Sequence, residues 1–245
     1  MSAAGGYWRQ SFFPLQYWAS VAPSEVQSAL RQAFLRWGLP AGLRVDNGQP
    51  WGSSAELPTA LALWVIGLGV GMHWNRPYHP QANAKVERSH GVAAQWAEPG
   101  RCADVGQLQA HLTWAETMQR EHYPAIEGHS RRQAFPELAH SGRPYTPEQE
   151  DSLWDATRVY RLLAQGQWLR RVDPNGNVSI YNRSLWVGKR YHGQTVYVRF
   201  DPEQVAWCVS DQTGQLLRSR PAPYLSRQNI LALEISHRPK GQLGA

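Results

Sequence analysis

With 245 residues, 42% of them hydrophobic, and 12 tryptophans, the chain can bury one substantial core and a smaller second one, so two domains are expected. No run of about 18 apolar residues is present, and Met1 to Gly6 lack the basic and apolar regions of a secretory signal; neither a membrane-spanning nor an exported protein is expected, and the expected location is cytoplasmic. The formal charge of +6 sits late in the chain, since residues 151 to 245 carry 13 Lys and Arg against 7 Asp and Glu while residues 1 to 150 carry 12 of each; this suits a phosphate-gripping segment behind a site-bearing one, or simply a basic surface.

Tyr7 to Val21 is rich in aromatics and predicts one or two strands broken around Pro14. Ser24, with Gln27 three positions on, predicts a capping box for a helix in which Val26, Leu30, Phe34 and Trp37 recur at helical spacing, until Gly38 and Pro40 stop it. Leu43 to Asp46 is a short strand running into the turn of Asn47 and Gly48, Pro58 opens a helix through Ile66, and Gly71 to Trp74 is the next strand. Asn75 to Ala84 holds two prolines and predicts a loop, followed by a helix from Lys85 to Trp96 that Pro99 ends. Asp104 and Gln107 form a second capping box, for a helix whose buried stripe is Leu108, Leu112, Ala115 and Met118 and which stops before Pro124. The alternation of strands and helices favours an α/β layer fold.

Pro124 to Glu150 predicts a partly extended connection draped over a surface, with a boundary near residue 150. Beyond it, Trp168 to Val172 and Val178 to Tyr181 flank Asp173, Pro174, Asn175 and Gly176, a hairpin signature. Thr195 to Phe200, Val205 to Val209 and Gln215 to Leu217 continue the series, with turns at Asp201-Pro202 and Thr213-Gly214. Five short strands at this spacing suggest a small barrel. Cys102 and Cys208 are far apart and form no C-x-x-C pair, so no disulfide framework or zinc site is expected.

The chemistry concentrates at Asp46 and Glu87. Asp46 ends a predicted strand, at the carboxyl edge where α/β sheets build sites. Glu87 lies near the start of a helix entered from the Asn75 to Ala84 loop, from where a carboxylate can face a strand end. Two hard oxygen ligands so placed can hold Mg²⁺ or Mn²⁺, and phosphoryl transfer on DNA uses two such ions about 3.5–4 Å apart. Each residue also has a plainer role, Asp46 in an ordinary Asp-Asn-Gly turn and Glu87 as a first-turn acid favoured by the helix dipole. Glu87 and His90 have di-iron spacing, but the same spacing recurs at Glu137 and His140 and at Glu234 and His237, and strand-rich surroundings do not suit a four-helix bundle. Gly67, Gly69 and Gly71 follow a helix and precede a strand, the reverse of a dinucleotide loop. His73, His79 and His90 are read as hydrogen-bonded loop or helix residues.

The run Leu43 to Trp51, LRVDNGQPW, followed by Asn75 to His90, NRPYHPQANAKVERSH, resembles the second-acid and third-acid motifs of DDE insertion-sequence transposases and integrases. Leu57 to Trp74, and the helix, Gly-Leu-Pro and strand from Glu25 to Val45, are similar to the same family. The resemblance covers about Tyr7 to Tyr123 and implies a ribonuclease-H-like α/β core over 1–123, an extended linker over 124–150, a small SH3-like β-barrel that binds DNA over 151–225, and a tail over 226–245. It further implies Asp46 as the second catalytic acid and metal ligand and Glu87 as the third, with Asn47, Gln81, Asn83, Lys85 and Arg88 near DNA.

In the barrel, Arg170, Arg171, Arg183, Lys189, Arg190 and Arg199 are interleaved with Trp168, Tyr181, Trp186, Tyr191 and Tyr197, a mixture suited to phosphate contacts and stacking, or to an aromatic core with a solvated basic face. The implied partner is double-stranded DNA, both element ends and target, with association with the nucleoid in a prokaryote. A homo-oligomer is implied by the family, although no coiled-coil heptad announces one. No base-reading helix-turn-helix is evident.

Two positions depart from the family. Ala84 stands where a Gly usually precedes the Lys-Val-Glu run. The first catalytic Asp, the ligand shared by both ions, has no counterpart, because no Asp or Glu precedes Glu25, and Glu25 suits a helix dipole without any metal. Two carboxylates for two dications imply weak Mg²⁺ binding. The expectation is a transposase or integrase core incomplete as given, the product of a truncated or late-started gene; a non-catalytic DNA-binding remnant or regulator is the alternative.

Overall fold

A computed structural model describes residues 22–52, 56–76 and 84–236, apart from the side chains at 84–87, 89, 90 and 138. The strands expected in Tyr7 to Val21 lie outside these residues. In chain order the elements are α1 (Pro23–Trp37), β1 (Gly42–Val45), α2 (Ala60–Gly67), β2 (Gly71–Trp74), α3 (Ala84–Ala97), α4 (Val105–Thr117), α5 (Arg131–Ala134), α6 (Glu150–Leu153), α7 (Ala156–Gln165), β3 (Trp168–Arg171), β4 (Asn177–Ile180), β5 (Arg183–Trp186), β6 (Thr195–Asp201), β7 (Ala206–Ser210), β8 (Leu216–Pro221) and α8 (Arg227–Leu231). The fold is mixed α/β, with a parallel pair β1-β2, an antiparallel sheet β3-β6-β7-β8 and an antiparallel pair β4-β5. The chain divides into two compact units, one taking the chain up to Pro50 and Val70–Asp151, the other Trp51–Gly69 and the chain from Ser152 onward.

In the first unit α1 begins at Pro23, not behind Ser24 as expected. Proline has a helical φ and no N–H to leave unsatisfied, so it takes the first position, and the Glu25 carboxylate accepts the Ala22 N–H at 3.0 Å. Gln27, expected in the cap, is buried instead. Val26, Leu30 and Phe34 are buried as the spacing predicts. Trp37 is half-buried, with the Arg36 and Arg120 guanidiniums 4.8 and 4.7 Å from its ring. Gly38 ends the helix at φ +76°, and a side chain there would run into Ser141 Oγ and lie 2.7 Å from the Arg143 carbonyl. Only glycine meets both demands.

The connection after Pro124 is extended in part, as expected, but carries α5, α6 and short 3-10 turns. It is pinned along α1 by Ser141 N–H to the Trp37 carbonyl, Leu39 N–H to the Arg143 carbonyl and Arg143 Nη1 to the Pro40 carbonyl, each 2.8 Å. Tyr145 is buried edge-on to Phe34, ring centres 5.7 Å apart. Its hydroxyl donates to Glu150, whose carboxylate also takes both arms of Arg31, Nη2 at 2.6 Å and Nε at 2.9 Å. Asp104 caps α4 as expected, accepting the Gln107 N–H at 2.8 Å. Ala115 is buried, and Leu108, Leu112 and Met118 are half-buried.

In the second unit α2 starts at Ala60, with Thr59 Oγ1 accepting the Ala62 N–H. The helix is buried from Leu61 to Gly67 and packs on α7 and α8. Trp154 lies against Gly67, where any side chain would collide with the indole, and donates to the Trp64 carbonyl at 3.1 Å. The antiparallel sheet buries Trp168, Val196, Val198, Phe200, Trp207 and Val209 on one face. Two features correct the sequence reading. Helix α7 was not expected, although Asp155 caps it and Val159 and Leu163 are buried one turn apart. The Asp173 to Gly176 turn forms, with Asp173 Oδ1 accepting the Asn175 and Asn177 N–H groups at 2.8 Å, but it joins strands of different sheets. Strand β3 pairs with β6, while β4 pairs with the unexpected β5 across Tyr181 and Asn182, both at positive φ.

Glu150→Gln should lower stability by about 2 kcal/mol. That is less than the roughly 3–5 kcal/mol of a fully buried pair, because Arg31 is partly solvated; urea midpoints at constant slope test it. Burial, and next the Glu150 hydrogen bond, push the Tyr145 phenol above its ordinary 10.0. Its contribution is therefore complete below that pH and is lost as pH climbs toward the folded-state value. Tyr145→Phe should accordingly flatten the alkaline decline of the urea midpoint.

Candidate nucleic-acid interface

At the tip of the parallel pair, the register runs Gly42↔Gly71 to Val45↔Trp74. The Asn75 N–H extends it by one bond, to the Val45 carbonyl at 2.8 Å, and Asn47 Nδ2 closes the end by donating to the Asn75 carbonyl at 2.7 Å. Leu43 and Val45 are buried while Arg44 and Asp46 are exposed, so period-2 alternation sets Asp46 on the solvent side. Its Oδ1 accepts the Gly48 N–H at 3.2 Å, an Asx turn that fixes the carboxylate against the backbone. This is the carboxyl edge at which the sequence placed it.

Glu87 falls in the first turn of α3, which packs along α4. Its side chain and that of Lys85, together with Gln81 and Asn83, lie outside the described residues; Arg88 is exposed. Among the described residues no group of three or more His, Cys, Asp or Glu is placed to hold a metal ion. Mg²⁺ wants near-ideal octahedral oxygen ligation with one or two carboxylates, and of the expected pair the described side chain is that of Asp46.

In the second unit the pleat sorts the arginines. Residues paired across an antiparallel ladder share a face, so Arg170, opposite Val196, and Arg218 and Arg220, opposite Val209 and Trp207, lie on the core side of the sheet. They reach over its edges to backbone carbonyls of the β4-β5 pair: Arg170 Nε to Ser179 at 3.3 Å, Arg220 Nη1 to Ser184 at 3.2 Å, and Arg218 Nε to Trp186 at 3.3 Å. Arg170 also bonds the Leu169 carbonyl and Glu56. Arg183 bonds the Ile235 carbonyl at 3.2 Å and stacks 4.3 Å over Tyr224.

The opposite face carries Arg171 and Arg199 with Leu169 and Tyr197. Lys189 and Arg190 stand on the turn Lys189–Tyr191, where Arg190 stacks on Tyr191 and bonds its hydroxyl at 2.7 Å. Gly193, two residues past that turn, lies beside the Arg171 guanidinium. Arg171, Lys189 and Arg190 thus gather at one end of the sheet, all exposed and none paired with a carboxylate among the described residues. Arg199 also projects outward, bonded to Gln167 at 3.0 Å. Sequence reading missed Arg218, Arg220 and Tyr224. The alternation of Leu217, Arg218, Ser219 and Arg220 was the available signal for a longer last strand.

Cys102 and Cys208 are free and half-buried. No helix among the described residues is long and apolar enough to cross a membrane. Compared with models of known protein families, the chain matches none.

Asn47→Ala should cost about 1 kcal/mol through the lost bond to the Asn75 carbonyl and speed hydrogen exchange at the Asn75 amide. Asp46→Asn, at an exposed position, should stay within about 0.5 kcal/mol of the parent. A comparable loss in both variants would show that the Asp46 carboxylate is structural.

Proposed function

We propose that this chain is a DNA-binding protein of the DDE transposase and integrase group. In this reading a ribonuclease-H-like core over 1–123 offers Asp46 and Glu87 as catalytic acids, and an SH3-like barrel over 151–225 grips double-stranded DNA. The observation that carries the DNA-binding reading is the set of Arg171, Lys189 and Arg190 on one end of the second unit, without carboxylate partners among the described residues and with Tyr191 among them. Guanidinium and ammonium groups so exposed attract phosphates and gain by releasing the counterions that DNA condenses. The motif pair around Asp46 and Glu87 supports the family reading, as does the exposure of Asp46 at the end of a parallel strand. For a complete member of this group the reaction is Mg²⁺-dependent strand cleavage and transfer, with DNA integration or transposition as its outcome and an oligomer as the acting form.

Titration of duplex DNA against salt tests the reading. Binding should weaken steeply as salt rises, and replacing Arg171 and Lys189 together by Gln should lower the slope of log K against log salt by about 2. An unchanged slope would remove this face from the interface. Mg²⁺-dependent nicking that vanishes in Asp46→Asn would make the chain an enzyme. Salt-sensitive binding without nicking would make it a binding remnant or regulator.

A further inference from the structure

The antiparallel sheet of the second unit turns one face to the core and the other to solvent. On the core side α7 packs against β6, with the Tyr160 and Phe200 ring centres 5.5 Å apart. An apolar row crosses the outer face. Leu169 stands opposite Tyr197, Tyr197 opposite Ser210, and Ser210 opposite Leu216, and directly paired residues share a face. Leu169 is 57% and Leu216 58% exposed, while Tyr197 is half-buried. The neighbours of Tyr197 on β7, Ser210 opposite it and Cys208 on the diagonal, are both small, so they do not reach over its ring.

Cations flank this row on both sides. Arg171 lies opposite Thr195, two residues before Tyr197 on β6, and Arg199 lies two residues beyond it. At roughly 3.3 Å per residue the two positions are about 13 Å apart along the sheet. Both side chains are exposed and neither pairs with a carboxylate among the described residues; Arg199 has the neutral Gln167 as its partner. Asp201, farther along the same face, accepts the Glu203 and Gln204 N–H groups. A second copy laid on this face would press like charges together. A duplex would meet it with phosphates and sugars, its bases being stacked on one another, and would leave the apolar row without a partner. A single strand offers both phosphates for the guanidiniums and base faces for the aromatic ring. We infer that the outer face of this sheet binds single-stranded DNA, its phosphates on Arg171 and Arg199 and a base on Tyr197, bordered by Leu169 and Leu216. This rests on the DNA-binding reading above and adds to it that part of the bound DNA is unpaired.

The test measures fluorescence anisotropy with the full chain and two labelled probes, a blunt duplex and an oligothymidine of about 12 nucleotides, within the range that small barrels bind. Tyr197→Thr removes the ring and keeps a residue suited to an exposed strand; it should weaken oligothymidine binding about tenfold, the loss of one stacked base, and leave duplex affinity unchanged. Tyr197→Phe, which keeps the ring, should bind as the parent does. Arg199→Gln breaks no ion pair and should lower the slope of log K against log salt for oligothymidine by about 0.7, the share of one phosphate on a single strand. Oligothymidine that fails to bind while the duplex binds, or that binds alike in the parent, Tyr197→Thr and Arg199→Gln, overturns this inference and leaves the duplex reading intact. Equal weakening of both probes by Tyr197→Thr overturns it as well, as does a dimer in sedimentation that the same substitution dissolves, which would assign the face to a second copy. Failure to bind either probe overturns both readings.

Discussion

Unpaired backbone carbonyls are the constraint on which most of this structure depends. The strands are four to seven residues long and the chain carries 17 prolines, so ladders and helices leave many acceptors without a partner. A buried carbonyl with no donor is costly. Side chains meet the demand in both units: Asn47 to Asn75, Arg143 to Pro40 and Arg131 to Gln119 in the first; Trp154 to Trp64, Arg158 to Gly67, Tyr181 to Pro58 and Arg227 to Trp154 in the second. The arginines that bridge β3 and β8 to the β4-β5 pair follow the same rule. They join two small sheets that share no ladder, and they cover strand edges that would otherwise invite pairing with another chain.

This constraint changes what the positive charge means. A basic segment suggests phosphate binding when its residues are counted, but several of these guanidiniums are occupied with the protein's own backbone. Arg170 has each of its three nitrogens engaged, with bonds to Ser179, Leu169 and Glu56. Arg171, its neighbour in sequence, points the other way and meets solvent. A one-residue step along a strand thus separates a structural cation from one available to a polyanion.

Much of the first unit was legible because its signals are local. The α1 stripe, the strand ending at Asp46, the strand at Gly71 and the helix carrying Glu87 are each set by periodicity or by a proline or glycine within a few residues. The place of Asp46 at the carboxyl end of its strand followed from the same local pattern. The tie between Asn47 and Asn75 was not legible, since it requires knowing that β1 and β2 run parallel in that register. In the second unit the obvious turn sequence, Asp-Pro-Asn-Gly, drew the hairpin to the wrong place. The actual hairpin turns at Tyr181 and Asn182, residues without glycine's freedom, held at positive φ with the Tyr181 hydroxyl bonded to the Pro58 carbonyl. Long-range contact overrides local preference there. The sorting of arginines was hidden for the same reason, because which face a residue occupies depends on register.

The turn that presents Asp46 also carries a chemical liability. Asn47 precedes Gly48, and in such a pair the glycine nitrogen can attack the asparagine amide carbon, close a succinimide and expel ammonia. Here that nitrogen is turned toward Asp46 Oδ1 and the amide is anchored to the Asn75 carbonyl, so the native geometry holds the two reacting groups in other bonds. Deamidation would replace a donor by an acceptor facing that carbonyl and set a second negative charge beside Asp46. The bonds that hold the strand tip together therefore also slow its ageing. Peptide mass mapping of stored protein, native against partly unfolded, would show whether conversion at position 47 waits on unfolding.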